Sequence, residues 1–181
     1  MAGILCIESS TTVCSAAIAI DGKSVHSLRE DSPNSHSSKL TVIIEQLLKD
    51  AGMGVADLDA VAVSSGPGSY TGLRIGVSVS KGLCYGGAKP LIAIPSLEIL
   101  AAGFIADKCP VESDALLCPM IDARRMEVYS ALYSIGLKEE RAVKAEIIDD
   151  SSYADILQVR PVYFFGNGAM KCTAVIKGSN A

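Results

Sequence analysis

A glycine-rich segment, SSGPGSYTGLRIG at residues 64–76, constrains the fold of this chain more than any other stretch. It follows an apolar strand pattern that ends at Val63 and leads into a helical pattern that begins near Thr71. A loop of this kind presents backbone N–H groups at a helix N-terminus, which suits an anion or a closely packed partner, whereas a plain tight turn is the alternative. Three glycines relieve the chain of Cβ atoms at this turn: Gly66, Gly68 and Gly72.

The same segment places an arginine, Arg74, in the first turn of the predicted helix. A cation there opposes the helix dipole, so the position is locally unfavourable. We therefore expect the Arg74 guanidinium to contact a partner elsewhere.

The composition favours a folded protein with an apolar association face. Apolar residues make up 49% of the 181 residues, and charged residues make up only 20%. A chain with so little charge has less polar surface than a monomer usually presents. The net charge of −4 argues against nucleic acid as a direct, stand-alone ligand, because phosphate binding needs a basic footprint. It leaves open a role in RNA chemistry that a partner carries out.

The six cysteines indicate a reducing compartment. They form no CxxC pair, and most lie inside apolar runs, as small buried hydrophobes do. The N-terminus, MAGILCIESS, has no basic flank, and its apolar run is too short for export or for a membrane span. We therefore predict a cytoplasmic protein without a membrane segment. The cysteines are Cys6, Cys14, Cys84, Cys109, Cys118 and Cys172.

Hydrophobic periodicity predicts the order β-β-β-α-β-α-β-α in the first half, which gives a mixed sheet with helices on its faces. A polar loop with Pro33 runs from Asp31 to His36. The predicted strands cover residues 4–7, 13–20, 23–29, 60–63 and 91–94, and the predicted helices cover residues 37–51, 71–85 and 95–106.

The second half echoes the first. Residues 116–138 resemble residues 4–23, because each segment has an apolar strand that ends in an acid, Glu8 or Asp122. A polar turn, an alternating strand and a glycine turn follow in both, which indicates a duplicated architecture. Further on, the pattern predicts a strand at 162–165, a turn at 166–168 and a helix at 169–177. We predict two subdomains, residues 1–106 and 107–181.

Two acid-tipped hairpins with two strand–glycine-loop–helix units resemble the actin-like ATPase (ribonuclease H-like) fold, a duplicated α/β fold of mixed sheets with flanking helices. More narrowly, GPGSYTGLRIG, IPSLEIL and MIDARRMEVYSALY resemble the bacterial TsaB (YeaZ) family over nearly the whole chain. That resemblance implies a role in making threonylcarbamoyladenosine, the modified base next to the anticodon of some transfer RNAs. Members usually continue further, so it also implies that the second half, which stops at Ala181, is shortened.

The resemblance further implies partners: a catalytic paralogue, TsaD, and a TsaE-like ATPase. The paralogue holds a metal through two histidines four apart on a helix, as in VNHLEAH. The matching stretch here is IPSLEIL, with Ser96 and Leu100 at those positions, and a hydroxyl and an aliphatic chain cannot replace two imidazoles. The only histidines, His26 and His36, lie on different predicted elements. We therefore predict no catalytic residue, no metal and no cofactor in the isolated chain, with ATP used by the partners.

Two turns occupy the places where related ATPases bind phosphate. The first has Glu8 but no glycine, and its alternative role is to satisfy the turn backbone. The second carries Asp122 beside Arg124 and Arg125, which could bind phosphate or pair internally or with a partner. The vestigial phosphate-loop candidates are Glu8, Ser9, Thr11, Asp122, Gly166 and Gly168.

The helix from Thr71 carries two rows of small residues spaced by four, which permit close approach of another helix at a cost in helix propensity. Packing inside the domain is the alternative. The resemblance favours contact with the paralogue, or a homodimer in its absence, through helices 37–51 and 71–85. We expect Val77→Asp or Gly76→Arg to abolish pairing and leave the fold intact. The first row is Gly72, Gly76 and Ser80, and the second is Ser78, Gly82 and Gly86. The predicted partner-binding residues are Gly72, Leu73, Arg74, Gly76, Val77, Ser80, Leu40 and Ile44.

Three functions remain open from sequence. The first is a non-catalytic subunit that shapes the active site of the paralogue and meets tRNA only through the complex. The second is an ATP-dependent transferase or kinase with a nucleotide cleft between its halves, which the acid-tipped hairpins and glycine loops support. The third, a peptidase, has the least support, because neither a metal pair nor a Ser-His-Asp set is recognisable.

Overall fold

The computed structural model of the chain describes residues 2–31, 36–108 and 112–177. The chain divides into two compact units between Pro95 and Ser96. The predicted boundary after residue 106 is therefore displaced, because the intervening helix packs with the second unit. Its residues Leu97 and Ala101 share a core cluster with Leu117 and Ile121 of that unit.

The first unit is a five-stranded mixed sheet with two helices. Its elements are β1 (Gly3–Glu8), β2 (Cys14–Ile20), β3 (Lys23–Glu30), α1 (His36–Asp50), β4 (Ala60–Ser64), α2 (Tyr70–Gly87) and β5 (Leu91–Ile94). The strand order is β3-β2-β1-β4-β5. The first three strands are antiparallel, and β4 and β5 run parallel to β1.

Side-chain periodicity explains how this unit closes its core. In β1 every second residue is buried, so Leu5 and Ile7 point to one face of the sheet. The helix α1 turns Leu40, Ile44 and Leu47 toward the same cluster, at the spacing of one helix face. The predicted helix and strand patterns of residues 37–51 and 4–7 are thus realised with only small shifts of their ends.

The second unit repeats this plan. Its elements are α3 (Ser96–Lys108), β6 (Leu116–Asp122), β7 (Glu127–Ser134), β8 (Glu139–Ile147), α4 (Ala154–Leu157), β9 (Val162–Phe165) and α5 (Ala169–Cys172). The strand order is β8-β7-β6-β9. The strands β6, β7 and β8 are antiparallel, and β9 runs parallel to β6. This order matches β3-β2-β1-β4 of the first unit, so the duplication read from the two acid-tipped hairpins is present in the topology.

Three elements of the second unit differ from the predictions, and one of them is the short helix α4, where no helix was predicted. The strand β8 was not predicted, because its sequence, EERAVKAEI, is charged and mostly exposed, as befits an edge strand. The predicted helix 169–177 ends at Cys172 and continues as a turn, in which the N–H groups of Val175 and Ile176 donate to the carbonyl oxygen of Cys172. Several β-branched residues lie in this stretch and have low helix propensity.

Within the described residues, every helix is too short or too polar to cross a bilayer. Five of the cysteines form no disulfide within that part of the chain, and three of them, Cys14, Cys118 and Cys172, are buried. Cys109 lies outside the described residues, as does Pro33 in the predicted polar loop.

The Cys118 thiol is expected to resist alkylation in the native protein. It is fully buried, and burial raises its pKa to about 12. Because the thiolate is the reactive form, iodoacetamide at pH 8 should modify Cys118 only after unfolding in guanidinium, as read by peptide mass spectrometry. The partly exposed Cys84 serves as the internal control. Equal rates of native labelling at the two sites would contradict this expectation.

Candidate functional site

The turn after β1 uses its polar side chains on its own backbone. The Glu8 carboxylate accepts a hydrogen bond from the Ser10 N–H at 2.6 Å. The Thr11 hydroxyl accepts one from the Val13 N–H at 3.4 Å. These contacts favour the interpretation in which the residues of this turn satisfy its backbone rather than a phosphate.

Ser9 lies under the start of α2 and is fully buried. Its N–H donates to the Ser64 hydroxyl at 3.3 Å. Its own hydroxyl oxygen is buried without a hydrogen-bond partner among the described residues. Ser9, one of the phosphate-loop candidates, is therefore inside the first unit and not on a surface that a ligand reaches.

The backbone N–H groups of the glycine-rich loop are largely engaged within the chain. Ser69 donates its N–H to the Ser10 carbonyl oxygen at 2.6 Å, and its hydroxyl accepts from the Gly72 N–H at 3.2 Å. The Leu73 N–H donates to the Ser69 carbonyl oxygen at 2.8 Å. The expectation of free N–H groups at this helix start is wrong for these three donors, because the loop caps its own helix.

The closely packed partner of this loop is the β1–β2 turn of the same unit. A Cβ atom on Gly68 would lie 2.3 Å from the Ser10 carbonyl oxygen. On Gly72 it would lie 2.1 Å from the Ser9 carbonyl oxygen, and on Gly76 2.1 Å from the Ser9 hydroxyl. The glycine-rich loop and the start of α2 pack directly against Ser9 and Ser10 of the turn. No space for a phosphate is left between the loop and the turn.

The two rows of small residues on α2 differ in burial, because one lies inside the unit and the other is exposed. The row of Gly72, Gly76 and Ser80 is buried in the unit, as are Leu40 and Ile44 of α1. Five of the predicted partner-binding residues are thus corrected to core positions, because their own unit covers them. The proposed Gly76→Arg test is also wrong, since its side chain would collide with Ser9.

The remaining predicted contacts lie nearer the surface. Leu73 and Val77 are half-buried, with Val77 packed against the core of the unit, while Arg74 is exposed. The Arg74 guanidinium stacks over the Tyr70 ring at 4.0 Å, so the contact found for Arg74 lies one turn earlier on the same helix and not elsewhere in the chain as expected. Tyr70 itself is 69% exposed.

The second row of small residues belongs to the outer face of α2. Apart from α2 itself, none of the described residues has a heavy atom within 4 Å of the Cβ positions of Gly82 and Gly86. Tyr85 beside them is 93% exposed. We call this surface the α2 outer face, and its residues are Tyr70, Arg74, Ser78, Gly82, Tyr85 and Gly86.

The tip of the second hairpin is closed by a lysine that sequence reasoning missed. The Lys171 ammonium contacts the Asp122 carboxylate, and the Arg124 N–H donates to the same carboxylate oxygen at 2.8 Å. The Asp122 N–H donates to the Asn167 side-chain oxygen at 3.1 Å. Of the alternatives for Asp122, internal pairing is the one observed. A lysine three residues after the Gly166-Asn167-Gly168 turn was the available signal.

The glycines of that turn serve close approach, as those of the first loop do. A Cβ atom on Gly166 would lie 2.4 Å from the Met120 carbonyl oxygen, and one on Gly168 would lie 2.9 Å from the Ile121 carbonyl carbon. Beyond the tip, Arg124 and Arg125 are exposed in left-handed backbone conformations, with φ of 74° and 49°. They line a cavity of about 540 Å³ together with Ile147.

The positions that match the histidines of the catalytic paralogue lie on α3. Ser96 is 1% exposed, and Leu100 packs against the cluster that contains Leu97. In residues 2–31, 36–108 and 112–177, no group of three or more His, Cys, Asp and Glu side chains is placed to hold a metal ion. His26 lies on β3, whereas the side chain of His36 is outside the described residues.

The duplicated sheets with acid-tipped hairpins define the class: an α/β protein of the actin-like ATPase (ribonuclease H-like) fold, as predicted. A family model described as TsaD, tRNA N6-adenosine threonylcarbamoyltransferase, matches residues 28–163. The chain is 33% identical over 168 residues to the tRNA threonylcarbamoyladenosine biosynthesis protein TsaB of Bacillus subtilis, which covers 91% of the chain and 70% of that protein. The solved structure of YeaZ from Pseudomonas aeruginosa matches with a TM-score of 0.85 at 26% identity, over 98% of the chain and 81% of that structure. The chain therefore belongs to the TsaB (YeaZ) branch of the TsaD family, which confirms the predicted family.

The relatives differ in how much of their length the chain matches. The TsaB protein of Escherichia coli is 32% identical over 154 residues, which covers 81% of the chain and 64% of that protein. The chain spans 51% of the TsaB protein of Haemophilus influenzae. It thus matches between half and two thirds of the length of these two relatives.

Proposed function

We propose that the chain is a non-catalytic subunit in the synthesis of threonylcarbamoyladenosine on tRNA, where it pairs with a TsaD-like catalytic paralogue and stabilises its active site. The observation that carries this proposal is the chemistry of Ser96 and Leu100. A buried hydroxyl and a core-packed aliphatic side chain stand where the paralogue has two imidazoles. The names of the related TsaB proteins, which place those proteins in this biosynthesis, support the pathway.

The α2 outer face is the surface we propose for pairing. Aromatic and arginine side chains such as Tyr85 and Arg74 are enriched in the energetic centres of interfaces. The open positions at Gly82 and Gly86 let a partner helix approach the backbone of α2. In the absence of the paralogue, the same face would serve a homodimer.

The proposal extends to the wider assembly that the family resemblance implies. A TsaE-like ATPase uses the ATP, and the chain itself needs no cofactor. tRNA contacts the chain only through the complex, consistent with the net charge of −4. The compartment of this pathway is the cytoplasm.

The test is Gly82→Arg, measured by calorimetry with the purified paralogue. The variant places a long cation on the α2 outer face without a clash inside the unit, because no other element in the described part of the chain comes within 4 Å of the Cβ position. We expect affinity to fall by about 100-fold or more, the effect of disrupting an interface centre. Gly103→Arg is the matched control, since Gly103 also lies exposed on a helix, α3, with open space around it.

An affinity that both variants leave unchanged would remove the α2 outer face from the proposal. The competing hypothesis, an ATP-dependent transferase or kinase, has its own readout. Calorimetry of the isolated chain with ATP and Mg²⁺, followed by an assay of turnover, would favour that enzyme if it gave tight binding with hydrolysis or transfer.

A further inference from the structure

The Lys171 ammonium, on α5 of the second unit, contacts oxygen atoms of two strands. It contacts the carboxylate of Asp122, at the end of β6, and donates to the backbone carbonyl oxygen of Glu127, at the start of β7, at 2.7 Å. The Lys171 side chain is only 23% exposed. One cation thus joins both strands of the hairpin and the helix that follows β9.

The atoms around this ammonium are those of a site for a hard cation. A carboxylate oxygen and a backbone carbonyl oxygen are the ligands that Ca²⁺ and Mg²⁺ take in proteins. The Lys171 hydrogen bond, and after it the Arg124 N–H, hold the pKa of the Asp122 carboxyl below its ordinary value. The ammonium therefore stabilises the ionised form of Asp122.

No arginine guanidinium at the hairpin tip is seen in contact with the Asp122 carboxylate among the described residues. The Arg124 backbone, rather than its guanidinium, contacts Asp122. Arg124 and Arg125 are exposed and line the cavity beyond the tip, together with Glu127. Among the described residues, the ion pair recorded for Asp122 is the one with Lys171.

Related ATPases bind a metal-chelated phosphate beside acids of this kind, and the residues here do not fit such a group. The lysine lies against the carboxylate, and the Gly166 turn lies against the Met120 backbone. We propose that Lys171 is a tethered cation that takes the place of a divalent metal ion at the tip of the β6–β7 hairpin, so that the hairpin keeps its conformation without metal. This inference concerns the second unit alone and does not depend on the pairing proposed above.

The test is to remove the ammonium and look for metal in its place. Lys171→Met keeps the length and apolar stem of the side chain and leaves the Asp122 and Glu127 oxygens uncovered. Titration of the full chain with Mn²⁺, followed by electron paramagnetic resonance, should show one bound ion in Lys171→Met and at least about tenfold weaker binding in the wild type. The double variant Lys171→Met/Asp122→Asn should lose this gain.

A variant that binds Mn²⁺ no better than the wild type would overturn the proposal and reduce Lys171 to an ordinary ion pair. A gain that survives Asp122→Asn would do the same, because the ion would then sit elsewhere.

A second measurement covers the case in which Lys171→Met folds poorly. The milder Lys171→Gln variant should gain about 3 °C in its thermal midpoint at a tenfold excess of Mg²⁺ over its Kd, because a ligand of the folded state raises stability. NaCl at equal ionic strength should not give this gain, and the wild type should not respond to either salt beyond screening. An equal response of the variant to NaCl and MgCl₂ would show screening rather than a site and would overturn the proposal.

Discussion

Replacing Gly72 by Ala is expected to lower the free energy of unfolding by about 3 kcal/mol, the upper part of the range for overpacking a filled interior. The new methyl group would lie 2.1 Å from the Ser9 carbonyl oxygen, which is backbone and not a flexible side-chain end. Ser9 cannot shift easily to relieve this clash, because it is fully buried and its N–H donates to the Ser64 hydroxyl. Urea denaturation followed by far-ultraviolet circular dichroism measures the loss.

The same substitution at an exposed position of the same helix is the control. Gly82 lies on the α2 outer face, where no residue outside α2 that the structure describes comes within 4 Å of its Cβ position. Alanine is the better helix former by about 1 kcal/mol, so Gly82→Ala should raise the free energy of unfolding. If Gly72→Ala and Gly82→Ala shifted stability alike, the close approach to Ser9 would not constrain the fold.

The difference in burial between Gly72 and Gly82 could not be predicted from the sequence of α2. The rows of Gly72, Gly76 and Ser80 and of Ser78, Gly82 and Gly86 have the same spacing and nearly the same composition. Which row faces inward depends on the turn at Ser9, and no local pattern encodes that long-range contact. The structure, not the spacing, separates the packing row from the open row.

The elements with strong periodicity were predictable for a physical reason. The apolar residues Leu40, Ile44, Leu47 and Leu48 of α1 all enter the core, so the pattern that the core demands is visible in the sequence. The duplication could be predicted from the two acid-tipped hairpins, because in both hairpins an apolar strand that ends in an acid is followed by a polar turn and an alternating strand. The charged strand β8 carries no such pattern and owes its conformation to pairing with β7.

The candidate sites were less predictable than the fold. That Asp122 ends a hairpin strand was evident, but its partner Lys171 lies on an element far along the chain. Likewise, the apolar helix α3 looked like the end of the first subdomain, although Leu97 packs with Leu117 of the second unit. The partner of Asp122 and the unit to which α3 belongs both depend on contacts between residues far apart in the sequence. Such contacts are known only from the folded structure.

The second large effect is expected for Gly166→Ala, about 4 kcal/mol from two sources. Gly166 has φ of +98°, a conformation that L side chains rarely adopt, and its Cβ position lies 2.4 Å from the Met120 carbonyl oxygen. Gly136→Ala is the matched control in the same unit. At Gly136 the nearest contact is an ordinary one, 3.8 Å to the Ser134 hydroxyl, and its backbone is outside the left-handed region. Thermal and urea denaturation of both variants, without any ligand, give the comparison.

This last experiment also separates the two leading functions. If the glycines of the Gly166 turn exist for contact between chain segments, Gly166→Ala loses stability in plain buffer and ATP has no effect on the difference. If they exist for a nucleotide phosphate, the variant denatures like the wild type and loses only a calorimetric ATP signal. The close approach of Gly166 to Met120 predicts the first outcome. The second outcome would return support to an ATP-dependent enzyme, since an alanine that folds freely there would mean that the space beside the hairpin is open to a ligand.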